Sequence, residues 1–430
     1  MSDSLQLPVQ CADCGFTTSG TSPITSCPQC GGLLDAVIDL DRTVAPIEFD
    51  AARFSLESTS GVWRYRTLLP QIADQHIVTR REGNTPLYFP NSLADYAGLK
   101  HGAMGVKHEG HNPTGSFKDR GMTVAVSHAK SVGAKVIACA STGNTSASLA
   151  SYGATAGIPT LVLIPDGKIS MGKLSQTLAF GATVVQVEGD FDVALRLLRD
   201  VTEEFDVYLA NSVNPFRPEG QKTIVFEILD ELGWQAPDVI ALPGGNLGNT
   251  AAFGKAIHEA HAVGLIDRVP KIVTVQAEGA SPFYKYFESG FDHYETMIPN
   301  TIATAINIGA PASVGRARRA IQNTGGIVTM VTDDDLMEAK AVIDAAGIGC
   351  EPASATSLAG VRKLVTAGEI PADAQVVGVL TGNILKDTDN IVKYHLEDMD
   401  GARRERANRP IRIAATMDAM KKVLDDAILG

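Results

Sequence analysis

Positive charge is scarce in this sequence: 37 Lys and Arg stand against 49 Asp and Glu, a formal net charge of −12. Nucleic acid and anionic membrane surfaces are disfavoured partners for such a chain, and a small anionic substrate would need a local basic pocket. Long apolar runs are missing too. The longest stretch without a charged residue, 136–165, is broken by Ser, Thr, Asn and Gly, which makes it too polar for hydrocarbon, so no membrane span is expected. Residues 1–10 hold Asp3 and no Lys or Arg, so no secretory signal is expected there. Six cysteines in 430 residues do not make a secreted disulfide scaffold. A cytoplasmic setting is expected. Tandem repeats and low-complexity tracts are absent as well.

What is present is an ordinary globular composition, 44% hydrophobic and 20% charged, with material for a sizeable core. Short apolar runs at 136–140, 160–164, 183–187, 207–210, 239–242, 272–276, 328–331 and 376–380 read as strands. Between them, segments such as 192–205 and 219–232 space apolar residues by three and four, the helical period. Alternation of this kind predicts an α/β fold, two mostly parallel α/β domains whose ligands sit at the carboxyl ends of the strands. The expected organisation is a Cys-bearing module at 1–40 and a connecting arm at 41–80. A first α/β domain follows at 81–215 and a second at 216–395. The basic stretch with Arg403, Arg404, Arg406, Arg409 and Arg412 then leads to an amphipathic pattern of Met417, Met420, Leu424 and Ile428. Residues 396–430 read as a solvated linker and a docking helix.

Cys11 and Cys14, then Cys27 and Cys30, form two CxxC pairs separated by twelve residues. Two such knuckles can bring four thiolates around one tetrahedral zinc. Zinc ribbons often bind nucleic acid, but residues 1–40 contain no basic residue at all, and a phosphate-tracking surface needs them. The zinc-ribbon-like module reads as structural, a cap or interface piece. Redox chemistry is disfavoured, since neither pair opens a helix in a thioredoxin-like unit.

The most informative segment is Asn112-Pro-Thr-Gly-Ser-Phe-Lys-Asp-Arg-Gly121. A turn made by Pro113 and Gly115 presents Lys118 early on a helix, where a lysine of lowered pKa can condense with an aldehyde. The bland alternative is a surface lysine beside Asp119. Two later loops follow strands and open helices, Ser141-Thr-Gly-Asn-Thr-Ser146 and Pro243-Gly-Gly-Asn-Leu-Gly-Asn-Thr250. The second can bind phosphate through backbone N–H groups and the helix dipole. It matches neither GxGxxG with a ribose acid nor GxxxxGK[ST], so dinucleotide and P-loop readings fail. Other candidates read as structure. His258 and His261 flank Glu259 without forming HExxH, Thr332 begins a capping box before Asp333–Asp335, Cys139 and Cys350 sit in apolar surroundings, and Trp63 anchors the arm.

Lys118 in SFKDRG, the STGNTS and GGNLGN loops and a late Thr381-Gly-Asn383 together resemble the fold type II pyridoxal-phosphate enzymes. Residues 61–65, 82–87, 211–217, 219–223 and 276–282 (GVWRY, EGNTPL, NSVNPFR, EGQKT and QAEGASP) are similar to motifs of the threonine synthase family. Asn383-Ile384 is a departure, since many members carry His-Gly there. The resemblance implies that Lys118 holds pyridoxal phosphate as a Schiff base, next to Phe117. It places Asn144 on the cofactor's ring oxygen, Thr381 on the pyridine nitrogen, and Gly244, Gly245, Asn246, Leu247, Gly248 and Asn249 on its phosphate. Ser141, Thr142 and Thr145 would hold the substrate carboxylate, and Ser212, Arg217 and Asn246 the substrate's own phosphate, with Lys173 or Lys222 as fallbacks.

The implied reaction is O-phospho-L-homoserine plus water to L-threonine and phosphate, catalysed by a carbon–oxygen lyase acting on phosphate. A homodimer is the family expectation. The alternatives are another fold type II enzyme, such as a threonine dehydratase, cysteine synthase or cysteate synthase, or a binding protein with idle machinery. A γ-phosphate substrate requires a second anion site, for which Arg217 with Ser212 is the candidate, and intact Lys118, Asn144 and Thr381 argue against idle machinery.

Overall fold

The computed structural model describes residues 7–20, 25–41, 43–52, 60–166, 171–189, 191–396 and 404–425. At the N-terminus, β1 (Pro8–Cys11), β2 (Thr17–Ser19) and β3 (Leu34–Ala36) form an antiparallel sheet in the order β2-β1-β3. Each CxxC closes a tight turn, the N–H of Gly15 bonding Cys11 O (3.0 Å) and that of Gly31 bonding Cys27 O (2.8 Å). Both glycines have φ near +75° (77° and 75°), a region that side-chain-bearing residues avoid. The arm that follows is pinned as expected: Trp63 is buried and its Nε1 donates to Thr123 Oγ1 at 2.8 Å.

Ten further strands build the body: β4 (Leu87–Tyr88), β5 (Met104–His108), β6 (Ile137–Ala140), β7 (Thr160–Pro165), β8 (Thr183–Val187), β9 (Tyr208–Leu209), β10 (Val239–Pro243), β11 (Lys271–Ala277), β12 (Ile327–Val331) and β13 (Val376–Leu380). One parallel sheet runs β8-β7-β6-β9. The other runs β12-β11-β10-β13-β5-β4, parallel apart from the β4–β5 pair. Alternate residues of β10 enter different cores, Val239 and Ala241 on one face and Ile240 and Leu242 on the other. Strands buried on both sides are the mark of helix-covered parallel sheets, and they explain the continuous apolar runs. Cys350 lies in the first of these cores and Cys139 in a separate one around β6, each with a thiol that burial pushes well up, Cys139 to about 12.

Three features differ from the reading of the sequence. Strand β5 was not legible, since Gly105, Lys107 and His108 interrupt its apolar pattern; yet all five residues are buried and Lys107 pairs with Glu227 at 2.8 Å. Strands β4 and β5 come from the stretch assigned to the first α/β domain but pair in the second sheet, so the chain crosses between sheets before Lys118. The single helix expected at 219–232 is two, Arg217–Gln221 and Thr223–Glu231. The Arg217–Gln221 turn lies hard against the Lys118–Ser131 helix: a Cβ at Gly220 would come within 1.7 Å of Arg120 O.

The C-terminal helix Met417–Val423 leaves Met417, Met420 and Leu424 exposed; Arg403 and Ile428 of the same expected pattern lie outside the described residues.

Candidate active site

Lys118 is the first residue of its helix, and the loop before it is tied to the end of β13. Phe117 N–H donates to Thr381 O (3.0 Å), Asn383 N–H to Gly115 O (2.9 Å), and Ser116 bridges to Gly382. The neighbours of Lys118 are fully engaged. Asp119 accepts from Thr114 Oγ1 (2.7 Å) and Ser148 Oγ (2.6 Å), and burial raises its carboxyl to about 6. Arg120 forks onto two carboxylates, Glu109 (2.7 and 2.8 Å) and Glu227 (3.0 and 2.6 Å). Lys118 has neither kind of partner: among the described residues no carboxylate pairs with its ammonium, which lies 4.6 Å from the Phe117 ring centre. Burial of that ammonium, then the charge of Arg217, lowers its pKa to about 7 against a weaker pull from Glu351. A lysine in this state offers a free amine near neutral pH. Asp119, which the surface-lysine alternative would place beside Lys118, is bonded instead to Thr114 and Ser148.

Arg217 is the second cation of the site. It is 1% exposed, and its guanidinium makes one hydrogen bond, Nη1 to Ala210 O at 3.3 Å. Nε and Nη2 have no partner among the described residues, and burial lowers its pKa to about 10. Leaving buried donors unmatched is costly, and it marks a place for an anion. Asn246 Nδ2 donates to Ser212 Oγ at 3.1 Å, which joins those two residues of the expected phosphate group. Lys222, the fallback, is ruled out by its partners, Glu219 at 2.6 Å and Glu259 at 2.7 Å; the Lys173 side chain lies outside the described residues. The pair to Glu259 also settles the His258–His261 segment as structure, with Glu259 buried and both histidines exposed.

The remaining loops converge as the topology requires, at the carboxyl ends of β6, β9, β10 and β13. After β6, residues 141–145 lead into the Asn144–Ala156 helix, whose N-terminus no side chain caps. After β10, Leu247 takes a left-handed φ of 62° and begins the Gly248–Ala262 helix, again with no side-chain cap. Gly244 and Gly245 are pressed against Thr274 and Ile306, leaving no room for a Cβ without displacement (2.7 and 3.1 Å). An uncapped start of a 15-residue helix preceded by such a turn directs backbone N–H groups at an anion. Asn249 Oδ1 is buried there without a partner.

Two residues were missed. Glu351, just before the Pro352–Thr366 helix, accepts from Asn144 Nδ2 (3.0 Å) and Thr381 Oγ1 (3.2 Å), and burial raises its pKa. A Cβ at Gly382 would lie 2.4 Å from the Glu351 carboxyl carbon, so that glycine is needed for the approach. Lys386 donates to Gln176 Oε1 and lies against Gly115, with its pKa lowered by burial. Its only sequence signal was membership of the loop that departs from the family pattern. In that loop Asn383 takes over the anchoring, donating to Gly110 O (3.3 Å) and accepting from Leu385 N–H (2.9 Å).

In the ribbon, the Sγ atoms of Cys11, Cys14, Cys27 and Cys30 all lie within 4.8 Å of one another, with Cys11–Cys30 and Cys14–Cys27 both at 3.5 Å. Such a cluster is compatible with a four-thiolate metal site.

A family model described as pyridoxal-phosphate dependent enzyme matches residues 78–382. The threonine synthase of Methanocaldococcus jannaschii is 43% identical, over 97% of this chain and 99% of its own length. That of Synechocystis sp. is 46% identical, over 78% of this chain and 87% of its own. Among solved structures, threonine synthase from Escherichia coli superposes with a TM-score of 0.69 over 98% of this chain and 100% of that one, at 19% identity. Maize serine racemase shares the fold at a TM-score of 0.61, over 72% of this chain and 91% of its own, at 20% identity.

Proposed function

The chain belongs to the threonine synthase family of pyridoxal-phosphate dependent enzymes, and on that premise we propose how its residues divide the conversion of O-phospho-L-homoserine and water to L-threonine and phosphate. The observation that carries the substrate assignment is Arg217, a buried guanidinium with two donors unmatched close enough to Lys118 to lower its pKa. A neutral, non-phosphorylated amino acid carries no second anion for such a site to bind.

The residues fit the cofactor. The unpaired Lys118 amine suits its aldehyde, the uncapped Gly248–Ala262 helix start with residues 244–249 suits its phosphate, and the Thr381 hydroxyl suits a pyridine nitrogen. Asn144 and Thr381 now both bond Glu351, and a bound ring would compete for those hydrogen bonds. When bound, pyridoxal phosphate supplies the electron sink that makes protons on the substrate's α- and β-carbons removable. Lys118 Nζ, neutral for part of the time near pH 7, takes and returns those protons. Ser141, Thr142 and Thr145, at the uncapped start of the Asn144–Ala156 helix, hold the substrate carboxylate. Arg217, Ser212 and Asn246 grip the phosphate and stabilise the charge that grows on it as it leaves the γ-carbon. Glu351, with its raised pKa, is a carboxyl able to keep a proton beside the ring.

Four thiolates from Cys11, Cys14, Cys27 and Cys30 hold one structural zinc in this reading, and the working enzyme is a cytoplasmic homodimer. Supplying purified holoenzyme with O-phospho-L-homoserine tests the assignment. Threonine and inorganic phosphate should appear in equal amounts; 2-oxobutyrate in place of threonine would overturn it.

A further inference from the structure

The ribbon is far from Lys118 in sequence, yet it touches elements that lead to both Arg217 and Asn246, two of the residues proposed for the substrate phosphate. On one side is Phe216, the residue before Arg217. Its ring is buried in the ribbon's own apolar cluster with Val9, Cys11, Cys27 and Leu34. The ring tip lies where a Cβ at Gly20 would come within 2.9 Å, and its face stacks on His128 with ring centres 3.5 Å apart. Two residues further on, Glu219 pairs with Lys255, and Lys255 Nζ donates to Ala36 O of β3 at 2.6 Å. The helical turn that begins with Arg217 is thus fastened to the ribbon before and after the guanidinium.

On the other side is the Val314–Thr324 helix. Ribbon residue Asp35 pairs with Arg316 at 3.0 Å, Leu34 O accepts from the same guanidinium, and Asp13 pairs with Arg319 at 2.7 Å. The residues that lead into this helix hold Asn246: Ala312 N–H donates to Asn246 Oδ1 (2.9 Å) and Ser313 N–H to Asn246 O (3.3 Å). Asn246 in turn donates to Ser212. Arg217 and the Asn246–Ser212 pair are therefore both linked to the ribbon.

We propose that the N-terminal ribbon is a positioning element for the substrate's phosphate, holding Arg217 through Phe216 and Glu219, and Asn246 through the Val314–Thr324 helix. This rests on the assignment of Arg217, Ser212 and Asn246 to that phosphate. Rigid donors placed by their surroundings bind anions better than the same donors left to wander. Loosening the ribbon therefore weakens phosphate binding and leaves the cofactor's attachment at Lys118 in place.

The test uses holoenzyme and inorganic phosphate as probe, with affinity from calorimetry, KM for phosphohomoserine, cofactor absorbance and melting temperature. Phe216→Leu and Asp35→Asn should weaken phosphate binding and raise KM by roughly 2- to 30-fold, the range for mutations along a coupling network. Cofactor absorbance should not change, and Asp35→Glu should restore most of the affinity. Leu336→Ala, in a buried core outside the ribbon, serves as the stability control and should lower melting with phosphate affinity intact. If the ribbon variants behave like Leu336→Ala, losing stability alone, the proposal falls. If Arg217→Ala binds phosphate as well as wild type, the assignment beneath it fails instead.

Discussion

Lys118 and Arg120 stand two residues apart at the start of one helix, and their surroundings are opposite. Arg120 has two forked carboxylates and two threonine hydroxyls at hand, and burial would raise the carboxyl of Glu227, but Arg120 and Lys107 hold it well below the usual carboxylate range. Lys118 has no counter-charge in reach of a hydrogen bond among the described residues. The same contrast recurs between Lys222, paired with Glu219 and Glu259, and Arg217, with two donors unmatched. Buried cations with matched partners join elements: Arg120 ties the β5 end to the Thr223–Glu231 helix. Buried cations without partners show where the charge of something else belongs.

Exchanging roles should break this contrast first at its strongest point. Lys118→Ala should lower turnover on the order of 10⁴-fold or more, the upper range for loss of a proton-transferring group, with a melting temperature equal to or above wild type. Arg120→Ala should do the reverse. Stranding Glu109 without its cation, and leaving Glu227 to Lys107 alone, costs about 3–5 kcal/mol of stability, read by denaturant titration, and turnover is lost only as folded protein is lost. Arg217→Ala should cost about 2–4 kcal/mol in kcat/KM for phosphohomoserine. Melting and cofactor occupancy should change little, because among the described residues Nε and Nη2 have no partner and only the 3.3 Å bond of Nη1 to Ala210 O is lost. A drop in stability as large as that of Arg120→Ala would place Arg217 among the structural charges.

The smallest effect is a pH dependence. Below about 7 the Lys118 amine is protonated in both the native and unfolded chain; between there and its ordinary 10.5 only the unfolded chain keeps that proton. Its contribution to apoprotein stability therefore rises with pH across that window. Capture of added pyridoxal phosphate, followed by absorbance, should rise with a midpoint near 7 and level off above it. A midpoint near 10.5 would mean that the amine is not desolvated.

These contrasts also mark what could be read from the chain alone. The loops after β6 and β10 and Thr381 were legible because each is a short run after an apolar strand, where β/α geometry puts ligands; the lysine loop was legible from the turn at Pro113 and Gly115. So were the four cysteines, by spacing. Thr332 was legible as a cap and does accept from Asp335 N–H at 3.1 Å. Glu351 was not: its partners Asn144 and Thr381 are 207 and 30 residues away, and no local pattern tells a carboxylate aimed at a site from one aimed at water. Strand β5 escaped for a related reason, since its Lys107 is acceptable in a core only because Glu227 waits on a later helix. The ribbon's grip on Arg316 and Arg319 joins residues about three hundred positions apart, beyond the reach of any local period. Pairing of charges is a tertiary property, and so is its absence.

The claim that an unpaired buried cation marks the chemistry is tested most directly by fixing the cofactor where it is attached. Borohydride reduction of the yellow holoenzyme, followed by peptide mapping, should place the pyridoxyl group on Lys118. Lys222, more deeply buried but doubly paired, and Lys386, hydrogen-bonded to Gln176, should remain unmodified. A label on either of those lysines would contradict the account.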